Sequence, residues 1–164
     1  MDEAGVAARV SFEAFYREQH ARLYRALCLV TRNRHEAEDI AQDAFLKLYE
    51  RWERVATLED PGGYLYRTAM NGFRSRYRRA ALALKRGLGV VAADDGIDAL
   101  EADDWVIRAL APLSRRQRAA VVLTDLLGYS SVEAGRLLAL SPSTVRMHVS
   151  RAHAALRDRM GDER

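Results

Sequence analysis

The chain reads as an all-α protein of two small helical domains, residues 1–80 and 105–164, joined by a flexible acidic linker at 81–104. Three observations carry this expectation. Apolar residues recur three and four apart through both ends of the sequence, and no run alternates with period two; the first pattern builds helices with one buried stripe. Ser, Asn and Asp stand repeatedly just ahead of such stripes, where their side-chain oxygens accept the unpaired amides of a first turn. Charge comes in blocks: residues 61–90 hold seven basic and no acidic side chains, and residues 91–104 hold six acidic and no basic ones. A length of 164 residues suits one domain or two small ones.

Ser11 caps a first helix with Phe12, Phe15, Tyr16, Leu23, Leu27 and Val30 along one side. Asn33 or Arg34 begins a second, whose inner stripe is Ala37, Ile40, Ala41, Ala44, Phe45, Leu48 and Trp52. Its outer face presents Glu38, Asp39, Gln42, Asp43 and Leu46, an acidic surface around a few apolar atoms. Asp60-Pro61 supplies an N-cap and a first-turn proline for a third helix, with Leu65, Thr68, Ala69 and Phe73 inward. Arg67, Asn71, Arg74 and Arg78 fall on its other side at helical spacing, with Tyr64, Tyr66 and Tyr77 interleaved. Rings among arginines suit unpaired DNA, because rings stack on exposed bases while guanidinium groups hold phosphates. The tyrosines serve equally well to complete a core, and the sequence leaves both readings open. Gly87, Gly89, Asp94, Asp95 and Gly96 then mark the linker.

Beyond the linker, Ser114 and Gln117 form a capping box ahead of Ala119, Ala120, Val122, Leu123, Leu126 and Leu127, and Gly128 ends that helix. Arg115, Arg116 and Arg118 at its start are placed to meet phosphate. Ser130 and Glu133 make a second capping box, the helix runs through Leu138, and Ser141-Pro142 opens the next after a short break. Two helices joined by so short a turn form a helix-turn-helix. Val145, Val149, Ala152 and Leu156 face inward, and Ser143, Arg146, Met147, Ser150 and Arg151 face out near the end that such modules insert in the major groove. A pair of ordinary solvated helices is the plainer alternative; the preceding capped helix, with Arg115, Arg116 and Arg118 at its start and an apolar side to hold the pair, weighs against it.

Other classes are excluded or disfavoured. No apolar run reaches the roughly 18 to 20 residues of a membrane span, and Met1-Asp2-Glu3-Ala4 lacks the basic start and apolar core of a signal peptide, so a cytoplasmic location is expected. Cys28 is the sole cysteine, set among Leu27, Leu29 and Val30 as a small buried hydrophobe. No glycine-rich phosphate loop, nucleophile elbow or zinc-binding His pair occurs. His148 and His153 diverge around a helix, and Asp94, Asp95, Asp103 and Asp104 lack the pattern of a calcium loop. The expectation is a protein without catalytic residues, metal or cofactor, and not an enzyme.

The stretch Glu38-Asp39-Ile40-Ala41-Gln42-Asp43-Ala44-Phe45-Leu46-Lys47-Leu48-Tyr49 strongly resembles the second conserved region of extracytoplasmic-function sigma factors of bacterial RNA polymerase, in the sigma-70 family. Pro61-Gly62-Gly63-Tyr64-Leu65-Tyr66-Arg67, Asn71 and the arginine-rich helix end look like the region that melts and reads the −10 element. Gln117-Arg118, Gly128-Tyr129-Ser130, Ser143-Thr144-Val145 and Ser150-Arg151-Ala152 look like the region that reads the −35 element. Three motifs in the family's order and spacing make the resemblance specific. It implies that Glu38, Asp39, Gln42, Asp43 and Leu46 dock on the clamp of the polymerase's largest subunit, and that the C-terminal domain meets the flap of the second-largest. It further implies a −10 surface of Arg54, Thr57, Tyr64, Arg67, Asn71, Arg74 and Arg78, with residues 54–60 around a flipped base. The −35 surface would be Arg146, Met147, Ser150 and Arg151 toward bases, with Arg115, Ser143, Thr144 and His148 nearer phosphates. The acidic linker would lie in the polymerase channel, and an anti-sigma factor would cover the apolar surfaces left by absent polymerase.

This sequence departs from the family at Ser75, where Asp is usual, and at Met147, where a small polar residue is usual. Gly135 replaces a helical Ala, and Ala139 replaces the turn Gly. Each exchange is unfavourable taken alone, since Gly costs about 1 kcal/mol inside a helix and Ala resists a left-handed turn. Two rival classes are a helix-turn-helix regulator acting without polymerase and a helical interaction protein with no DNA role. The first leaves the acidic helix and the Arg67–Arg79 face idle, and the second leaves both basic blocks idle.

Overall fold

A computed structural model describes residues 10–88 and 105–162. The N-terminal residues 1–9, most of the expected linker and Asp94, Asp95, Asp103 and Asp104 lie outside them. The described residues form helices and turns: α1 (Phe12–Thr31), α2 (Arg34–Tyr49), α3 (Trp52–Val55), α4 (Pro61–Lys85), α5 (Trp105–Leu110), α6 (Arg115–Val121), α7 (Ser131–Leu138) and α8 (Pro142–Asp162). The starts follow the capping chemistry. Side chains of Ser11, Asn33 and Asp60 accept the amides of Ala14, Glu36 and Gly63. Both capping boxes, at Ser114 and Ser130, are closed in both directions.

Some boundaries differ from the sequence reading. α2 stops at Tyr49, and Trp52, expected on its inner stripe, instead opens α3 and packs its ring 5.0 Å from Phe15 and 5.5 Å from Phe12. α4 runs on through Lys85, because Ala81-Leu82-Ala83-Leu84-Lys85 is all strong helix former. After α6 the chain widens into a π-helical turn, Val122–Leu126, in which the Leu127 amide donates to the Val122 carbonyl at 3.0 Å. Gly128, with φ 76°, ends it.

α1, α2 and α4 bundle around Leu23, Leu27, Ile40, Leu48, Leu65 and Met70, all essentially removed from water. α6, α7 and α8 close over Ala119, Leu123, Ala134, Val145 and Ala152. The two halves also touch: α1 lies against α6 and the π-helical turn, and α4 lies against α7. Their buried residues form one continuous cluster. A half of under 80 residues buries too little surface for much stability alone, so this contact adds materially to both. Thr31 ties the α1–α2 corner together. Thr31 Oγ1 donates to the Leu27 carbonyl at 2.8 Å and accepts the Asn33 amide at 3.1 Å.

Candidate functional site

The outer face of α2 is exposed as its spacing dictates: Glu38, Asp39, Gln42, Asp43 and Leu46 all reach solvent. Gln42 donates to Glu38 at 3.3 Å. Arg76, from α4, lies 3.6 Å from Asp39 and 3.5 Å from Asp43, holding the two carboxylates side by side. Beside them lies a groove of about 360 Å³ lined by Phe12, Tyr16, His20, Gln42, Phe45, Leu46 and Tyr49. Tyr16 meets Phe45 at 4.7 Å and Phe12 meets Tyr49 at 5.1 Å, while Tyr49 and Leu46 remain mostly exposed. Sequence periodicity assigned Phe12 and Tyr16 to the core. They sit instead at its rim, where Phe12 is half-buried against Tyr49 and Trp52 and Tyr16 is exposed.

On α4, Arg67, Asn71 and Arg78 are exposed and Arg74 is half-buried, its guanidinium donating to Asn71 Oδ1 at 3.2 Å. Of the interleaved rings, Tyr77 lines a cleft together with Arg74 and Arg78, and Tyr64 and Tyr66 are drawn inward. Tyr66 is buried, its hydroxyl has no hydrogen-bond partner among the described residues, and burial pushes its pKa up to about 12. Tyr64 is half-buried and its hydroxyl lies 3.4 Å from Arg51. Ser75 accepts from Arg79 at 3.1 Å. Arg54 and Thr57 are exposed at the α3 end, where Thr57 Oγ1 donates to the Arg54 carbonyl at 2.7 Å.

α7 and α8 form the expected helix-turn-helix. Ala139 takes the left-handed turn conformation at φ 53°. Ser141 caps α8, its Oγ accepting the Thr144 amide at 3.1 Å and meeting the hydroxyls of Ser143 and Thr144. Ser143, Arg146, Met147, Ser150 and Arg151 are exposed, and Thr144 is half-buried.

Three basic side chains assigned to phosphate from the sequence lie elsewhere. His148 is buried on the same stripe as Val145 and Ala152, its Nδ1 unpartnered among the described residues. Burial, then the nearby Arg116 and Arg151, lowers its pKa, so the ring favours the neutral form. Arg118 is buried too, donating its Nε to the Val30 carbonyl at 3.0 Å and a second nitrogen to the Leu113 carbonyl. Arg115 forms a two-pronged ion pair with Glu36 of α2, one arm at 3.1 Å. Arg118 turns toward α1 and Arg115 toward α2, contacts that a pattern read one helix at a time does not contain. The same limit hid Glu36 and the 2.6 Å pair between His153 and Asp125.

The chain matches the models of Sigma-70 region 2 over residues 15–82 and of Sigma-70 region 4 over residues 103–156. It is 32% identical over 154 residues to the ECF RNA polymerase sigma factor SigM of Mycobacterium tuberculosis, an alignment covering 93% of this chain and 79% of that protein. Two solved structures share the fold. The sigma factor RpoE, in complex with the anti-sigma factor NepR from Bartonella quintana, is 22% identical with a TM-score of 0.70 over 93% of this chain and 98% of that one. CnrH, in complex with the cytosolic domain of CnrY, is 24% identical with a TM-score of 0.58 over 93% of this chain and 89% of that one. With both conserved regions present in order on the helices that carry the acidic, arginine-bearing and helix-turn-helix faces, the chain belongs to the extracytoplasmic-function sigma factors of the sigma-70 family.

Proposed function

We propose that this chain directs core RNA polymerase to promoters with a residue-level division of labour among three surfaces. Asp39, Asp43, Glu38, Gln42 and Leu46 dock on the polymerase clamp. Arg67, Asn71, Arg74 and Arg78 hold the separated −10 strand, with Arg54 and Thr57 at the pocket for a flipped base. Arg146, Met147, Ser150 and Arg151 read −35 bases from α8, and Ser143 and Thr144 reach the adjacent phosphates. The observation that carries this reading is the pair of unlike basic surfaces on one chain. One is an arginine stripe along a 25-residue helix, and the other is an exposed helix N-terminus of groove-reading size.

A cytoplasmic site of action accords with the absence of any helix long and apolar enough to cross a membrane among the described residues. The exposed aromatic groove beside α2 is a suitable surface for an anti-sigma factor when polymerase is absent. The polymerase flap is the partner proposed for the C-terminal half. Analytical gel filtration with purified core enzyme tests the assignment: the chain should co-elute at one-to-one stoichiometry, and failure to co-elute at micromolar concentrations would remove it.

A further inference from the structure

The exposed face of α8 is not uniform. Val145, His148, Val149, Ala152 and Leu156 fix the inward side of the helix, and at 3.6 residues per turn Ser143, Met147, Ser150 and Ala154 fall opposite them. Met147 stands within roughly 25° of the outward pole, whereas Arg146 and Arg151 lie roughly 70° to either side of it. Their surroundings agree with that division. Arg146 lines a hollow of about 360 Å³ together with Asp125 of the π-helical turn and Ser131 of α7. Arg151 lies on the opposite flank, close enough to His148 to disfavour a charge on that ring. Ser143, Ser150 and Ala154 are short, and the Ser143 hydroxyl is 3.0 Å from that of Ser141. Met147 is therefore the long side chain at the centre of this face, and it is 39% exposed.

We propose that Met147 recognises the 5-methyl group of a thymine in the −35 element and makes that methyl a determinant of promoter choice. The inference rests on the reading of α8 as the helix that enters the major groove. A single exposed methionine is ordinary on a protein surface; its place at the groove-facing pole is what gives it a use. A thioether donates no hydrogen bond and accepts only weakly, so Met147 cannot read the donor and acceptor pattern of a base edge. The major groove carries one apolar feature, the thymine C5-methyl. A polarizable side chain with three rotatable bonds can settle against that group, and its short neighbours leave room for the approach. Arg146 and Arg151 are long enough to reach base edges from the flanks. Hydrogen-bond readout and methyl readout then act at different positions of the same element. The small polar residue usual at this place in sigma factors offers no comparable apolar surface, so the methyl preference is a property of this chain.

The test uses the full chain assembled with core polymerase and the −35 duplex that this complex selects from a random pool. Each thymine of the duplex is replaced in turn by uracil, which removes the methyl and leaves every hydrogen-bonding group in place. At one position the replacement should weaken binding roughly fourfold, the value of burying one methyl-sized group. Met147→Ser should bind the thymine and uracil duplexes alike at that position, and Met147→Leu should keep the preference. With cytosine at that position, 5-methylation should tighten binding several-fold for the wild type and leave Met147→Ser unaffected. A wild type indifferent to uracil at every position, or a Met147→Ser variant that suffers the same loss, overturns the methyl contact while a selected −35 sequence still upholds base reading by α8. A selection that returns no preferred sequence overturns the reading of α8 and the methyl contact with it.

Discussion

A Cβ at Gly135 would stand 2.6 Å from the backbone carbonyl oxygen of Leu140, closer than such atoms ever approach. The Leu140 amide donates back to the Gly135 carbonyl at 2.9 Å, so the turn of the helix-turn-helix folds directly onto this glycine. The two family departures in this motif thus have opposite standing. Gly135 is required by the turn as it is built here, whereas Ala139 occupies a left-handed position at φ 53° that Gly would fill without strain.

Gly135→Ala should therefore destabilise the C-terminal half by about 1–3 kcal/mol despite the better helix propensity of Ala, because backbone has to move. Ala139→Gly should stabilise it by about 1 kcal/mol. Urea unfolding of the two variants checks this. A neutral or stabilising Gly135→Ala would show that the turn relaxes at no cost.

Tyr66 predicts an alkaline sensitivity. Its folded pKa, raised from 10.0 to about 12 by burial, lies above that of the unfolded chain. The neutral phenol's contribution is fully present below pH 10 and is lost as pH climbs from 10 toward 12, amounting to about 2–3 kcal/mol. Tyr66→Phe removes an unpartnered buried hydroxyl. It should be neutral or stabilising at pH 7 and should flatten the decline above pH 10. A large loss at pH 7 would mean that the hydroxyl has a partner.

His148 predicts the opposite wing. A folded pKa held below the usual 6.5 by burial and by Arg116 and Arg151 means that the unfolded chain binds the proton first. Stability is then present above pH 6.5 and falls as the solution is acidified below it. Thermal melts of wild type and His148→Phe at pH 7.5 and 5.5 read this directly, and the variant should lose less on acidification. Equal losses would place the sensitivity elsewhere.

For base reading, Arg146→Ala or Arg151→Ala should relax preference at one −35 position, a bidentate contact being worth about 1–3 kcal/mol of discrimination. Arg115→Ala should leave the sequence preference intact, since its guanidinium pairs with Glu36 and stands over Phe73 rather than lying on the outer face of α8. Selection of duplexes from a random pool distinguishes the cases. Wild-type preferences in both α8 variants would shift base reading to other residues.

Most of the helical framework was legible in the sequence because its signals are local. Ser11, Asn33, Asp60, Ser114 and Ser130 announce helix starts through side chains that reach only three residues ahead. The exposed faces at 38–46 on α2 and 143–151 on α8 followed from spacing within one helix. What escaped depends on contacts between segments far apart in the chain. Arg118 bonds to a carbonyl 88 residues away and Arg115 to a carboxylate 79 residues away. His148 reads as polar in a pattern of faces, yet it is buried on the Val145 and Ala152 side of α8, with Arg116 of α6 nearby.

Transcription from a promoter library by core RNA polymerase, with and without this chain, bears most directly on the function. Added chain should produce transcripts starting a fixed distance downstream of one shared pair of −35 and −10 sequences. Reversal of Asp39 and Asp43 to Lys should abolish both those transcripts and core binding, while helicity stays unchanged. Transcripts that arise equally without the chain, or a double variant that initiates as well as wild type, would contradict docking through α2 and with it the assignment of the surfaces.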